Sequence, residues 1–287
     1  MIKIVFVVLH YETVSDTMDC LNSLLNYLSR DYVDVVVVDN GSKRGKLIEL
    51  AEIYSSYSQI HFLYSKENLG FAKGNNIGYK YAKYDLKAEL IILANNDLIF
   101  KQENFIDILV ENYEKTHFDV AGPKIISLMD NLNQNPVPRL FCTKREVQKK
   151  IVKLMILYIT SYFNFDLILK KIFSSGIHRF DSDTDLGDFQ LHGACMFFGN
   201  QYIKRYDGLY NKTFMYGEEN ILKYIVERNR LNMQYIKEVS VFHKEGSSTQ
   251  AMWGKGKKNR QFYYKWNAHS CILLKKIMMN KEFLEFI

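Results

Sequence analysis

The chain of 287 residues is long enough for one large α/β domain, or for one domain with a sizeable appendage. With 47% hydrophobic and 24% charged residues it has the balance of a folded globular protein, which excludes a disordered chain, and its 3 prolines and 15 glycines leave no low-complexity linker. A net charge of +6 is compatible with nucleic acid, an anionic membrane surface or a phosphorylated ligand, and selects none of them.

The opening MIKIVFVVLHYE has no signal-cleavage site and its apolar run is of strand length, so a first strand over 2–9 is expected rather than a secretory leader. The four cysteines, Cys20, Cys142, Cys195 and Cys271, form no metal-ligand spacing and read as reduced, mostly buried thiols of a cytoplasmic protein. Ser15 is a plausible cap for a helix carrying Met18, Leu21, Leu24, Leu25 and Leu28. A β-branched strand at 33–38 follows, then a helix over 43–57 with Leu47, Leu50, Ala51 and Tyr54 on one face, and a short strand at 60–64. The loop ENLGFAKGNNIG (67–78) leads into a helix around 71–84. Next come a strand at 90–94, a helix at 104–115 and a strand near 119–122 that Pro123 should stop. Such β–α alternation predicts a mostly parallel sheet covered by helices on both faces.

Residues 128–188 break this rhythm. Their apolar stretch at 149–173 carries Lys153, Asn164 and Asp166, which argues against a bilayer-spanning helix. Lysine pairs, Lys149 with Lys150 and Lys170 with Lys171, flank it. Two readings stay open: an interfacial helix in peripheral contact with anionic lipid, or a helical hairpin packed on its own domain or on the mate of a homodimer. Apolar helical stripes are usually core, which favours the second. A further block spans 189–250, and a helix is expected over about 258–279. The basic run Lys255, Lys257, Lys258 and Arg260 at its start could face phosphates, but such runs are more often a solvated face. The neighbouring Tyr263, Tyr264 and Trp266 could stack bases, yet at helical spacing they read as core, so no nucleic-acid partner is expected.

Two strands end in an acid. VVVVDNGS (35–42) delivers Asp39 before the turn formers Asn40 and Gly41, and the apolar run at 90–94 ends in Asn95-Asn96-Asp97. Ligands of open α/β sheets bind beyond the carboxyl ends of the strands, so two acids there suggest a nucleotide and a metal ion. Turn formation is the competing role for each. Gly70 and Gly74 permit close backbone approach at a helix start, but the loop is neither a Walker loop nor a GxGxxG fingerprint. Glu218 and Glu219 open a helix expected over 218–230, where acids compensate the helix dipole; adjacent like charges with partial burial would also suit a general base. His243 ends an apolar segment ahead of a Gly-Ser-rich loop, where an imidazole could complete a metal shell with Asp97.

In their order, VVVVDNGS, ENLGFAKGNN, the Asn-Asn-Asp turn, LHGACMFF (191–198), GLYNKTFMYGEEN (208–220) and VFHKEGSST (241–249) resemble the family 2 glycosyltransferases. The similarity is to the bacterial rhamnosyltransferase-like branch of surface polysaccharide assembly (capsule or O-antigen), and it spans roughly residues 2–250. The resemblance implies a GT-A fold, a UDP- or dTDP-sugar donor, a glycan acceptor, a divalent ion (Mg²⁺ or Mn²⁺) and inversion at the anomeric carbon. It divides the chain into a nucleotide-binding half (1–127), a helical insertion (128–188), an acceptor and catalytic half (189–250) and a C-terminal helical segment (251–287).

By the same resemblance, Tyr11 and Asp39 contact the nucleoside, Asn68 and Lys73 help hold the nucleotide, and Asn96 lies near the ribose or donor sugar. Asp97 and His243 bind the metal, Gly193 and Ala194 wall the sugar pocket, and Glu219 is the base with Glu218 beside it. The sequence departs from the family pattern at Asn95, where an acid is usual, at Glu219, where Asp is usual, and at Glu12, Ile221 and Ile225. The implied activity is transfer to a lipid-linked glycan at the inner membrane face; the alternative is a nucleotide-sugar-binding module that has lost transfer.

Overall fold

The computed structural model describes residues 1–43, 46–173, 187–245 and 256–279. Three strands of β-branched and apolar residues, β1 (Ile4–His10), β2 (Val33–Asp39) and β4 (Leu90–Asn95), lie side by side and parallel at the middle of one sheet. With β3 (Ile60–Tyr64), β5 (Leu98–Ile99), β6 (Val120–Ser127), β9 (Cys195–Phe198) and β10 (Met233–His243) they form eight strands in the order β3-β2-β1-β4-β9-β6-β10-β5. β9 runs antiparallel between β4 and β6, β10 is parallel to β6, and β5 is antiparallel to β10. A two-stranded ribbon pairs β7 (Val137–Pro138) with β8 (Phe189–Gln190).

The strands are apolar on both faces because both are covered, as a parallel sheet requires. Ile4, Phe6 and Val8 face one core with α1 (Val14–Leu24), α2 (Lys46–Ile53) and α4 (Phe105–Thr116), where Phe6, Tyr27, Phe100, Phe105 and Phe197 cluster edge-to-face and stacked. Val5 and Val7 face the other core with α3 (Phe71–Tyr84), α7 (Asn200–Arg205), α8 (Glu218–Arg228), and the long pair α5 (Lys144–Ser161) and α9 (Lys257–Met279).

Two local expectations are corrected, and the helical hairpin expected within 128–188 is observed. Ser15 does not cap α1: it lies inside the helix, whose N-cap is Thr13, and the helix gives way at Leu25 to a 3₁₀ turn over Leu25–Ser29. β6 runs through Pro123 to Ser127, because the ladder with β10 is irregular there: Pro123 is opposite Ile236 and Lys124 is opposite Ser240, so the missing N–H falls at a bulge. The apolar stretch at 149–173 belongs to two helices, α5 and α6 (Asp166–Phe173), and α5 begins with a capping box in which Thr143 and Glu146 satisfy each other's backbone N–H groups. Among the described residues no helix is long and apolar enough to cross a membrane. All four cysteines are free, and three are buried while Cys142 is exposed.

Two amide side chains fix the segments around the strand tips, one of them holding the second half of the chain against the first. Asn76 on α3 donates to Leu209 O and accepts from Leu209 N, both at 2.7 Å, anchoring the segment before α8. Asn40 at the tip of β2 accepts from Leu69 N (3.0 Å) and donates to Gly70 O (3.1 Å), pinning the loop that enters α3.

Candidate active site

The carboxyl ends of β1, β2 and β4 open onto a cavity of about 370 Å³, within the range of small-molecule sites. Its floor is Leu9, Asn40, Asn95 and Asn96 from the strand tips; Asn68, Gly70 and Phe71 form one side, and His192, Gly193, Ala194 with Phe214–Tyr216 and the two glutamates the other. The segment 214–216 is held near α3 because Phe71 N donates to Phe214 O at 2.7 Å. Gly70 is required there: its φ is +84°, and a Cβ would lie 2.1 Å from Phe214 O.

One corner joins distant parts of the sequence. β5 pairs antiparallel with the end of β10, Leu98 opposite His243, and Lys244 N donates to Asp97 O at 3.0 Å. His243 Nε2 is thereby set 3.3 Å from Asp97 Oδ1, with both residues buried. His243 Nδ1 donates to Gln134 Oε1 (2.7 Å), which orients the ring and turns Nε2 toward the corner. Asp97 Oδ1 accepts no hydrogen bond although it is buried, an arrangement that is costly unless a cation or donor completes it. The carboxylate oxygen suits Mg²⁺ or Mn²⁺ as part of a shell, and the imidazole nitrogen favours Mn²⁺, the softer of the two. Among the described residues no cluster of three or more His, Cys, Asp or Glu side chains could hold a metal, so a bound ligand's oxygens would supply the remaining positions.

His192, which the sequence reading left without a role, stands beside this corner with its ring centroid 5.9 Å from that of His243. Its Nδ1 accepts from Ala194 N (3.2 Å), so the neutral ring carries its proton on Nε2. Burial, reinforced by His243, pushes its pKa down to about 4, and it enters the cavity as a neutral donor. The detectable signal was its place directly before Gly193-Ala194 in LHGACMFF.

Glu218 and Glu219 stand in the first turn of α8, after Gly217, whose φ of +83° turns the chain into the helix. Burial, then the charge of Glu219, raises the Glu218 pKa to about 8, while the Thr213 hydroxyl acts in the opposite direction; Glu218 Oε1 has no hydrogen-bond partner. Burial also raises Glu219, against the nearby backbone N–H groups of Gly217 and Glu219. On the same wall Gly193 makes room for Glu219, since a Cβ on Gly193 would lie 2.8 Å from Glu219 Oε1. Ala194 ties this wall to β4 by accepting from Asn95 N at 2.9 Å.

The structure therefore brings Tyr11, Asn68, Asn96, Asp97, Gly193, Ala194, Glu218, Glu219 and His243 to one cavity. Asp39 and Lys73 are not among its lining residues. Asp39 Oδ1 accepts from Ser42 N (2.9 Å) and closes its own turn beside the cavity, and Lys73 is on the exposed side of α3. The Asn96 amide turns inward and donates to Thr13 Oγ1 and Thr17 Oγ1, both at 2.9 Å, which clamps the β4 tip to α1. Asn40 and Asn76 were missed as positioning residues because their partners are far away in sequence.

The sequence model of Glycosyl transferase family 2 matches residues 5–173, and the chain belongs to that family. The Low-salt glycan biosynthesis hexosyltransferase Agl10 of Haloferax volcanii is 24% identical over 213 residues, which cover 74% of this chain and 59% of the relative. The chain thus spans about three-fifths of that relative's length. Among solved structures, S. aureus TarS 1-349 in complex with UDP-GlcNAc superposes with a TM-score of 0.53 at 13% identity, covering 86% of this chain and 59% of that one. GalNAc-T7 with UDP, GalNAc and Mn²⁺ gives a TM-score of 0.57 at 12% identity, over 85% of this chain and 44% of the other. The fold is GT-A, a mostly parallel sheet flanked by helices. The matched family span ends before Glu218, Glu219 and His243, so the second half of the site rests on its own geometry.

Proposed function

We propose that this chain is an inverting glycosyltransferase that moves a sugar from a UDP- or dTDP-sugar to a hydroxyl of a lipid-linked glycan in surface polysaccharide synthesis, at the inner face of a cell membrane. The observation that carries the reading is a pair of carboxyls with raised pKa, the buried Glu218 and the half-buried Glu219, sharing one cavity with the Asp97–His243 corner.

Such a reaction needs a base and a sink for negative charge. Glu219 would take the acceptor's hydroxyl proton as the acceptor oxygen bonds to the anomeric carbon; its raised pKa makes it a stronger base than an exposed glutamate. On the opposite face the bond from that carbon to the donor's phosphate oxygen breaks, and the nucleoside diphosphate leaves with the electron pair. A divalent cation held by Asp97 and His243 would neutralise the departing diphosphate. Neutral His192 can donate a hydrogen bond in the same region, and Tyr11 with Asn68 would seat the nucleoside. Gly193 and Ala194 keep the sugar pocket narrow and set Glu219 against it. In this reading Asp39 and Lys73 contribute from the rim.

The test is a panel of nucleotide sugars with Mn²⁺ or Mg²⁺, read first as a rise in melting temperature and then as turnover with glycan acceptors. Stabilisation by a UDP- or dTDP-sugar, with turnover lost in Asp97→Ala and Glu219→Gln, is expected. Full activity in both variants would overturn the site assignment. Donor stabilisation without transfer to any acceptor would favour the binding-module reading.

A further inference from the structure

A surface helix normally turns one apolar stripe inward and a polar face outward. α5 breaks this rule. Its inner stripe, Val147, Ile151, Leu154 and Leu157, is buried in the core that α9 shares. Its outer side repeats the spacing with Val152, Met155 and Ile159, continued past the helix end by Phe163 and Phe165 and on α6 by Ile168. Ile159 is 60% exposed, Phe163 71% and Ile168 60%. Several adjacent apolar side chains left in water mark a contact surface rather than scattered exposure.

The charge around the stripe identifies the partner. Residues 149–173 contain five lysines and a single acid, Asp166. That acid is withdrawn from the surface: it is fully buried, accepts from Arg260 Nε (2.7 Å) and Tyr264 OH (3.1 Å), and locks α6 to α9. Exposed Lys149, Lys170 and Lys171 stand at the two ends of the stretch, and Lys257 donates from α9 to Tyr162 O (2.6 Å) beside the stripe. An isologous dimer would lay this patch against its own copy and bring lysine to lysine. An anionic bilayer meets both needs, taking aromatic and aliphatic side chains between headgroups and pairing lysines with lipid phosphates.

We propose that the α5–α6 hairpin is a membrane-docking surface that seats the protein on an anionic lipid bilayer. α9 also packs behind the cavity wall, where Trp266 lies on Phe214 at 4.6 Å and Tyr263 on Tyr216 at 5.1 Å between ring centroids. One helix thus links the lipid-facing hairpin to the wall that carries Glu218 and Glu219. Resting on the transferase reading, docking would bring a lipid-linked acceptor to the same surface as the enzyme; the docking itself is independent of that reading.

The experiment is vesicle flotation of the full chain, without nucleotide, on phosphatidylcholine alone and on phosphatidylcholine with about 30% phosphatidylglycerol. Expected is a partition coefficient at least about tenfold higher on the anionic vesicles, lowered about tenfold by the pair Ile159→Glu/Phe163→Glu and by Lys170→Glu/Lys171→Glu. Both pairs lie on the surface, and unchanged circular dichroism and unchanged nucleotide stabilisation would confirm that they fold. Equal binding of wild type and variants, or no binding to either vesicle, overturns the proposal. So does a concentration-dependent dimer that Ile159→Glu/Phe163→Glu abolishes while vesicles capture nothing. Absence of nucleotide stabilisation in the wild type with intact flotation would instead count against the transferase reading alone.

Discussion

Replacing Glu218 by glutamine should flatten the pH dependence of stability, and the structure sets both sign and size. Folding raises this carboxyl from an ordinary 4.5 to about 8, mainly through burial and then through Glu219. Below the unfolded value both states hold the proton and the stabilisation is fully present. Between about 4.5 and 8 the unfolded chain has released its proton while the folded one keeps it, so stability falls with rising pH. Above about 8 the loss is complete. At about 1.4 kcal/mol per pH unit, the three units from pH 5 to 8 amount to about 4 kcal/mol, a ceiling because the charge of Glu219 contributes part of the shift. Urea unfolding at pH 5.5, 7 and 8.5, followed by tryptophan fluorescence, measures the slope for wild type and Glu218→Gln. The variant should keep the weaker slope that Glu219 imposes, since that carboxyl is also raised. Parallel slopes for the two proteins would refute the argument that Glu218 is protonated in the folded state at neutral pH.

Three other outcomes test particular contacts. His243→Ala removes the imidazole 3.3 Å from Asp97, and should lower kcat/KM about 10²-fold while weakening the response to Mn²⁺; an unchanged Mn²⁺ titration would place the metal elsewhere. Gly193→Ala puts a methyl within 2.8 Å of Glu219 Oε1 and should reduce kcat about tenfold or more with UDP affinity preserved, because it displaces the base and leaves the nucleoside contacts alone. Gly208 has a φ of +125° and a Cβ there would lie 2.1 Å from Asn76 Oδ1, so Gly208→Ala should cost about 2–4 kcal/mol from backbone strain and the broken amide pair to Leu209. A melting temperature within a degree or two of wild type would show that the anchor is dispensable.

The local features of this protein were legible because their causes are local. Strands β1 to β4 and helices α3 and α4 follow from side-chain periodicity and turn residues within a few positions of each element. Ordered motifs were also enough to recognise a GT-A glycosyltransferase and to nominate Asp97, Glu218, Glu219 and His243, which the fold gathers around one cavity. What only the tertiary structure decided depends on pairings between distant segments. β9 inserts antiparallel beside β4 and carries Gly193 and Ala194 to the cavity, and the short β5 aligns with the end of β10 so that Asp97 meets His243. No periodicity encodes such a register. Pro123 looked like a stop because the bulge that tolerates it is created by β10, more than a hundred residues later. The apolar stretch at 149–173 was visible in the sequence, but which of its side chains turn inward is settled only when α9 covers one side of α5.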